Sequence, residues 1–303
     1  MTAFLARRVL QAIAVVILVT LIVFTLLQLA PDPDRIEVVG TAAHNQFLVQ
    51  YLSWLGQVLR GNLGFDGPGG EPVSTLLATS LPRTLVLVGF STLIALVVAI
   101  PAGIVQAARP SSIADHGLRL LTYVFYGMPA FVLGSVLILF LGVDARVFGA
   151  EGPQYSGIGQ VMTDWRDLTL PVLTLALGTI AIFARYTRSA AADSLGEEYV
   201  EAARARGADE RRVLFRHVLR NSMVPVVTLL GLSIPQILGG ALVVESLFNF
   251  PGMGWQIWQA AQNDNVPVML GFTLVLAIAA VAGSLLADVV HALLDPRVRF
   301  ARS

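Results

Sequence analysis

The side chains best suited to metal or proton chemistry, the four histidines His44, His116, His217 and His291, stand far apart in the chain. No two share the i, i+4 spacing that turns a pair of imidazoles toward one metal on a helix face, so no metal site is expected. There is no cysteine, which removes disulfides, iron–sulfur clusters, all-cysteine zinc sites and thiol nucleophiles. All 20 basic side chains are arginines. Without lysine there is no P-loop amine for nucleotide phosphates and no Schiff base. His-Glu-x-x-His and Gly-x-Ser-x-Gly are missing, and no apolar run holds a pair of carboxylates. No catalytic residue is assigned and the chain is not expected to be an enzyme. A formal net charge of zero also speaks against a nucleic-acid partner.

What remains is a set of polar side chains beside breaks in apolar stretches. Tyr123 and Tyr126 precede Gly127 and Pro129, and Pro235 is followed by Gln236. A proline inside an apolar helix frees a carbonyl that a neighbour or water must satisfy, and a glutamine facing lipid is costly. Tyr123, Tyr126, Pro129, Pro235 and Gln236 are therefore candidates for the lining of a translocation pathway, against the plainer reading of an aromatic packing contact. Glu245 and Asp288 fall at the ends of apolar runs and read as solvated helix ends. No carboxylate or histidine sits mid-run, where proton-coupled carriers place one, so the driving energy is expected to come from outside the chain.

The elements that position these residues follow from composition. The 303 residues are 55% hydrophobic and 13% charged, about half the charge of a soluble domain. Six charge-free runs approach the roughly 20 residues that cross a bilayer: Val9–Ala30, Thr84–Ala108, Leu120–Leu141, Leu168–Ala184, Met223–Val244 and Val268–Ala287. The first is too long for a signal peptide and has no small-residue cleavage site, so it reads as a retained span. With segments assigned to alternate sides, fifteen arginines fall on the side of both termini and five on the other, which places both termini in the cytoplasm. The expected fold is an all-α integral membrane protein with six transmembrane helices.

Residues 1–83 are expected to hold the first span and an outer loop. In that loop Phe47, Leu48, Tyr51, Leu52, Leu55, Val58 and Leu59 recur at helical spacing. Residues 84–303 would form a five-helix core. Small residues four apart, Ala130 and Gly134, then Ala279, Gly283 and Ala287, read as helix-packing positions.

One segment, 185–222, is the most charged, with eight arginines against six carboxylates. Periodicity divides it. Tyr199, Val200 and Ala203 mark an apolar stripe, Gly207 breaks the helix, and Asp209 is placed to cap a second helix carrying Val213, Leu214, His217 and Val218. Such ridges suit a groove on another protein or a layer of anionic lipid heads.

The residues then resemble a known family. Glu201-Ala202-Ala203 followed by Gly207 looks like the EAA motif of permease subunits in binding-protein-dependent ABC importers. Ala184–Ser189, Glu198-Tyr199-Val200 and Arg216–Ser222 are similar to the branch that imports dipeptides, oligopeptides and nickel. So are Gly239-Gly240-Ala241, Glu245 to Gly254, and Asp295-Pro296-Arg297-Val298-Arg299. The chain departs from the family pattern at Arg220, where the general motif has proline, and at Pro31-Asp32-Pro33-Asp34, where the family usually shows Pro-Gly-Asp-Pro.

The resemblance implies the type I ABC importer transmembrane fold in a bacterial inner membrane. The cytoplasmic loop would supply a coupling helix that docks on an ATPase subunit through Glu201, Ala202, Ala203, Gly207, Val213 and Leu214. It implies a second related permease, two ATPase subunits and an extracytoplasmic solute-binding protein as partners, with ATP and Mg held by the ATPases and no cofactor in this chain. Peptides are the implied cargo; nickel or another small solute is the alternative. An ATP-independent carrier or channel is the alternative of another class, separable by whether the purified chain transports solute alone.

Overall fold

The structure, a computed structural model, describes residues 2–28, 47–155 and 157–294. Helix dominates because a chain this apolar must satisfy its backbone polar groups within each segment. The helices are α1 (Thr2–Gln28), α2 (Phe47–Leu59), α3 (Val73–Ala108), α4 (Ile113–Gly127), α5 (Ala130–Leu137), α6 (Ile158–Thr163) and α7 (Trp165–Leu195). They continue with α8 (Glu198–Ala205), α9 (Glu210–Arg212), α10 (Leu219–Leu247), α11 (Met253–Gln262) and α12 (Val266–Leu294). Among the described residues, five helices are long and apolar enough to cross a membrane by themselves, and α4 with α5 makes a bent sixth.

That sixth element differs from the straight third span read from the sequence. The axes of α4 and α5 are bent by 109°. Met128 adopts an extended φ −89°, ψ 121°, the conformation imposed on a residue whose successor is proline, and Pro129 opens α5. The α5 helix then loosens into a π-helical turn, Ile138–Asp144. Contacts tie the two ends of the bent pair to opposite ends of α7 and its neighbours. At its start, the buried Asp115 pairs with Arg119 and lies 3.3 Å from Arg188 near the end of α7. Beyond its finish, Gly152 N donates to Phe248 O at 2.7 Å, and Arg83 near the start of α3 donates to Tyr155 O and Pro251 O, both at 3.0 Å.

The remaining helices alternate between these ends. On α1, Phe24 packs with Val266 and Leu270 at the start of α12, while Arg8 and Ser284 border one cleft farther along. The two helices therefore run antiparallel, and the start of α1 lies at the same end as the 185–222 segment. The amphipathic pattern of 47–59 forms α2, whose Tyr51 and Trp54 are buried against Phe24, and the Tyr51 hydroxyl meets Thr20 Oγ1 at 3.0 Å. The boundary expected at 83/84 falls inside α3, which starts at Val73.

Helix α3 lies closest to α7. A Cβ at Gly103 would stand 2.7 Å from the Ala184 carbonyl oxygen and 2.8 Å from Arg188 N, an approach that only a residue without a side chain permits. Gly134 and Gly283 are packing positions too: their missing side chains make room for Leu247 and Phe248, and for Ile234, respectively. The side chain of Ala287, the outer segment 31–34, His44 and the tail motif 295–299 lie outside what the structure describes, as do the side chains of Asp288 and His291.

Candidate functional site

The charged segment folds as a helical hairpin joining α7 to α10. Helix α8 begins with Glu198 and Glu201 in its first turn, where carboxylates favour the positive end of the helix dipole. It ends in a Schellman turn: Gly207 N donates to Arg204 O at 2.9 Å and Ala208 N to Ala203 O at 3.1 Å. Gly207 sits at φ +80°, the left-handed region that glycine enters without penalty. Asp209 then caps α9 by accepting from Arg212 N, as its place after Gly207 predicted. Across the turn, Arg204 Nε and Nη2 donate to the two Glu210 carboxylate oxygens at 2.8 and 3.3 Å.

The hairpin's apolar stripes turn inward. Val200, Ala203, Val213 and Val218 are buried with Ile104 of α3 and Ala191 of α7. Of the residues read as a docking surface, Val213 is wholly buried and Ala203 nearly so, and both serve as the hairpin's footing on its own chain. Leu214 is half-buried. The face left open carries Glu201, Ala202, Gly207, Arg211, Arg212 and Arg216, with Phe215 at 55% exposure. A cleft of about 320 Å³ opens beside the turn among Arg206, Gly207, Ala208, Arg212 and Arg216.

A second feature lies along the bundle, where the α4–α5 break, α7 and α10 enclose a cavity of about 340 Å³. Tyr126 and Gln236 both line it, so two pathway candidates 110 positions apart in sequence meet at one place. Pro129 holds the break between two lining residues, Met128 and Ala130. Tyr123, one turn earlier on α4, is 55% exposed and stays outside the lining. Pro235 is the clearer departure: it borders a separate cleft of about 860 Å³ between α1, α10 and α12. Neighbouring residues on a helix point about 100° apart, so Pro235 and Gln236 serve different faces of α10.

The remaining polar lining comes from Thr174 and Thr179 of α7 and Ser233 of α10, which the sequence reading passed over. Hydroxyls inside apolar spans were the available signal. Thr174 and Thr179 satisfy themselves by donating to Leu170 O and Leu175 O at 2.8 and 2.9 Å, which is why they are cheap there. No charged side chain lines the cavity. Two residues past Phe183, the last lining residue of α7, Arg185 borders a separate cleft of about 520 Å³ with Arg188 and Leu195, and its guanidinium carbon lies 4.3 Å from the centre of the Tyr126 ring.

Glu245 overturns its reading as a solvated helix end. It is fully buried, accepts from Thr84 Oγ1 at 2.6 Å and from Gly254 N at 2.6 Å, and fastens the start of α11 to α3 and α10.

Comparison with known proteins gives matches over most of the chain. The family model described as binding-protein-dependent transport system inner membrane component matches residues 99–300. The oligopeptide transport system permease protein AppB of Bacillus subtilis (strain 168) is 36% identical over 316 residues, covering 99% of this chain and all of AppB. The di/tripeptide transport system permease protein DppB of Pseudomonas aeruginosa (strain UCBPP-PA14) is 31% identical over 337 residues, with full coverage of both. Among solved structures, an inward-facing MetNI methionine ABC transporter superposes with a TM-score of 0.61 over 73% of this chain and 96% of its own, at 19% identity, a likeness of fold.

Proposed function

The chain belongs to the family of binding-protein-dependent transport system inner membrane components, and from that premise we propose how it works. It is the permease subunit of an ABC importer of peptides, a multi-pass protein of the inner membrane. The cavity between α4–α5, α7 and α10 forms its share of the path that peptides take. The open face of the hairpin, with Glu201, Ala202 and Gly207 at its centre and Leu214 at its edge, is the seat of an ATPase subunit. Ala203 and Val213 underpin that seat from within. A solute-binding protein delivers cargo on the far side, a second related permease completes the path, and two ATPase subunits hold ATP and Mg, with no cofactor in this chain. Both termini and the hairpin face the cytoplasm, in keeping with the arginine bias.

One observation carries the reading: the hairpin is the direct connection between α7 and α10, the two long helices that wall the cavity. Its footing on Ile104 and Ala191 makes it continuous with the bundle, so force applied to the hairpin moves both walls together. Shifting such a two-state equilibrium from 1:99 to 99:1 takes about 5.5 kcal/mol of differential binding. With no charge in the cavity lining to store that energy, nucleotide binding by the partners is the fitting source.

Replacement of Gly207 by valine tests this directly. A β-branched residue at φ +80° is strained, so the Schellman turn is lost while the spans are untouched. Gly207→Val is expected to insert normally and to lose co-purification with the ATPase subunits; undiminished co-purification would count against the seat.

A further inference from the structure

The cavity lining is neutral, yet a guanidinium lies just beyond its α7 end, against the lining residue Tyr126. Arg185 lies on the same face of α7 as Gly178 and Ile182, which line the cavity, and it is exposed. Its neighbour Arg188 is engaged by Asp115 at 3.3 Å. Among the described residues Arg185 has no ion-pair partner. What it has is a platform: its guanidinium carbon is 4.3 Å from the Tyr126 ring centre and 6.0 Å from that of Tyr186. Stacking on an aromatic face occupies the flat side of the guanidinium and leaves its N–H donors, which lie in the plane, pointing outward. That edge matches the two oxygens of a carboxylate.

We propose that Arg185, held by Tyr126 just beyond the α7 end of the cavity, is a specificity-determining residue that receives the carboxylate end of a peptide in transit. The inference rests on the reading of the cavity as the peptide path. A free peptide carries an anion at its C-terminal end and a cation at its N-terminus. A fixed cation beyond one end of a neutral passage attracts the first and repels the second, so it orders the cargo with its anionic end toward Arg185. The same charge opposes a bare metal cation. The hydroxyls of Thr174, Thr179 and Ser233 and the Gln236 amide carry no net charge to offset this bias.

The test uses the complete transporter with its binding protein in proteoliposomes, and compares uptake of Ala-Ala-Glu with that of Ala-Ala-Lys. The binding protein is common to every variant, so its own preference cancels when the ratio in a variant is divided by the ratio in the parent. Arg185→Gln is expected to lower the Glu-ended to Lys-ended ratio by up to about fivefold, the factor an exposed ion pair supplies, and Arg185→Glu to lower it further. Arg185→Lys, which keeps the charge but loses the flat two-donor edge, is expected to retain more of the parental ratio than Arg185→Gln and controls for assembly. A merely structural role lowers both uptakes alike, and an unchanged ratio in the Gln and Glu variants overturns the assignment. A cysteine at Gln236, the chain having none of its own, separates the two readings when modified with a bulky thiol reagent. If that blocks uptake while the ratio stays fixed, only the role of Arg185 fails. If neither change matters, the path reading fails with it.

Discussion

Glu245 is a carboxylate in the interior of a membrane protein, and its neighbours explain how it is tolerated. Each oxygen has a donor, Thr84 Oγ1 on one side and the Gly254 backbone on the other, while the Thr84 oxygen accepts from Met253 N at 2.8 Å. The Thr84 hydroxyl thus both donates and accepts, and the carboxyl group lies at the N-terminus of α11. Glycine fits at both neighbouring positions: a Cβ at Gly252 would stand 2.4 Å from the Glu245 carboxyl carbon, and one at Gly254 2.3 Å from the Leu242 Cα. Removing the acceptor leaves the Gly254 N–H and the Thr84 hydroxyl without it, and a buried donor left unsatisfied costs about 1–3 kcal/mol. Glu245→Ala is therefore expected to destabilise the purified protein by about 3 kcal/mol. Glu245→Gln should cost clearly less, because the amide can turn its oxygen to Gly254 and its nitrogen to Thr84. Thermal unfolding in detergent reads the difference, and equal melting of the two variants would contradict the network.

At the scale of elements, the fit of α3 into α7 connects the hairpin to the rest of the bundle. Gly103 lets the two backbones touch, and the next residue, Ile104, is the hairpin's footing. Between helices in lipid there is little hydrophobic drive, so close van der Waals contact holds such pairs. Overpacking a tight site typically costs about 1–3 kcal/mol. Gly103→Val is expected to cost at least the middle of that range and to expose the hairpin to limited proteolysis between α8 and α9. If protease resistance survives, the hairpin does not depend on this contact. The bent α4–α5 pair belongs to the same scale. Its break follows from Met128 preceding Pro129, and Tyr126, Met128 and Ala130 around it all line the cavity.

For the whole molecule, the alternation of ends makes the clearest prediction. Ala205 on the hairpin and Gln262 at the end of α11 are both exposed, and they lie at opposite ends of the bundle. The lack of native cysteine makes each a clean reporter. In intact cells an impermeant thiol reagent is expected to label a cysteine at Gln262 and to leave one at Ala205 unmodified; the reverse pattern would invert the orientation drawn from the arginines.

Much of this protein was legible in its residues alone. A segment in lipid must close its own backbone hydrogen bonds, so apolar length predicts helices without reference to neighbours. Gly207, Asp209 and Pro129 act through local sterics and capping, and they did in the structure what they do in any chain. The EAA stretch announced the family for the same local reason, its residue types and spacing being visible without a fold. What the residues left undecided was which way each helix faces. Lipid-facing and core-facing positions are alike apolar, so the pattern that sorts inside from outside in water is faint here. Only packing put Gln236 in the cavity and Pro235 behind it, turned Val213 inward, and joined Glu245 to a threonine 161 positions away.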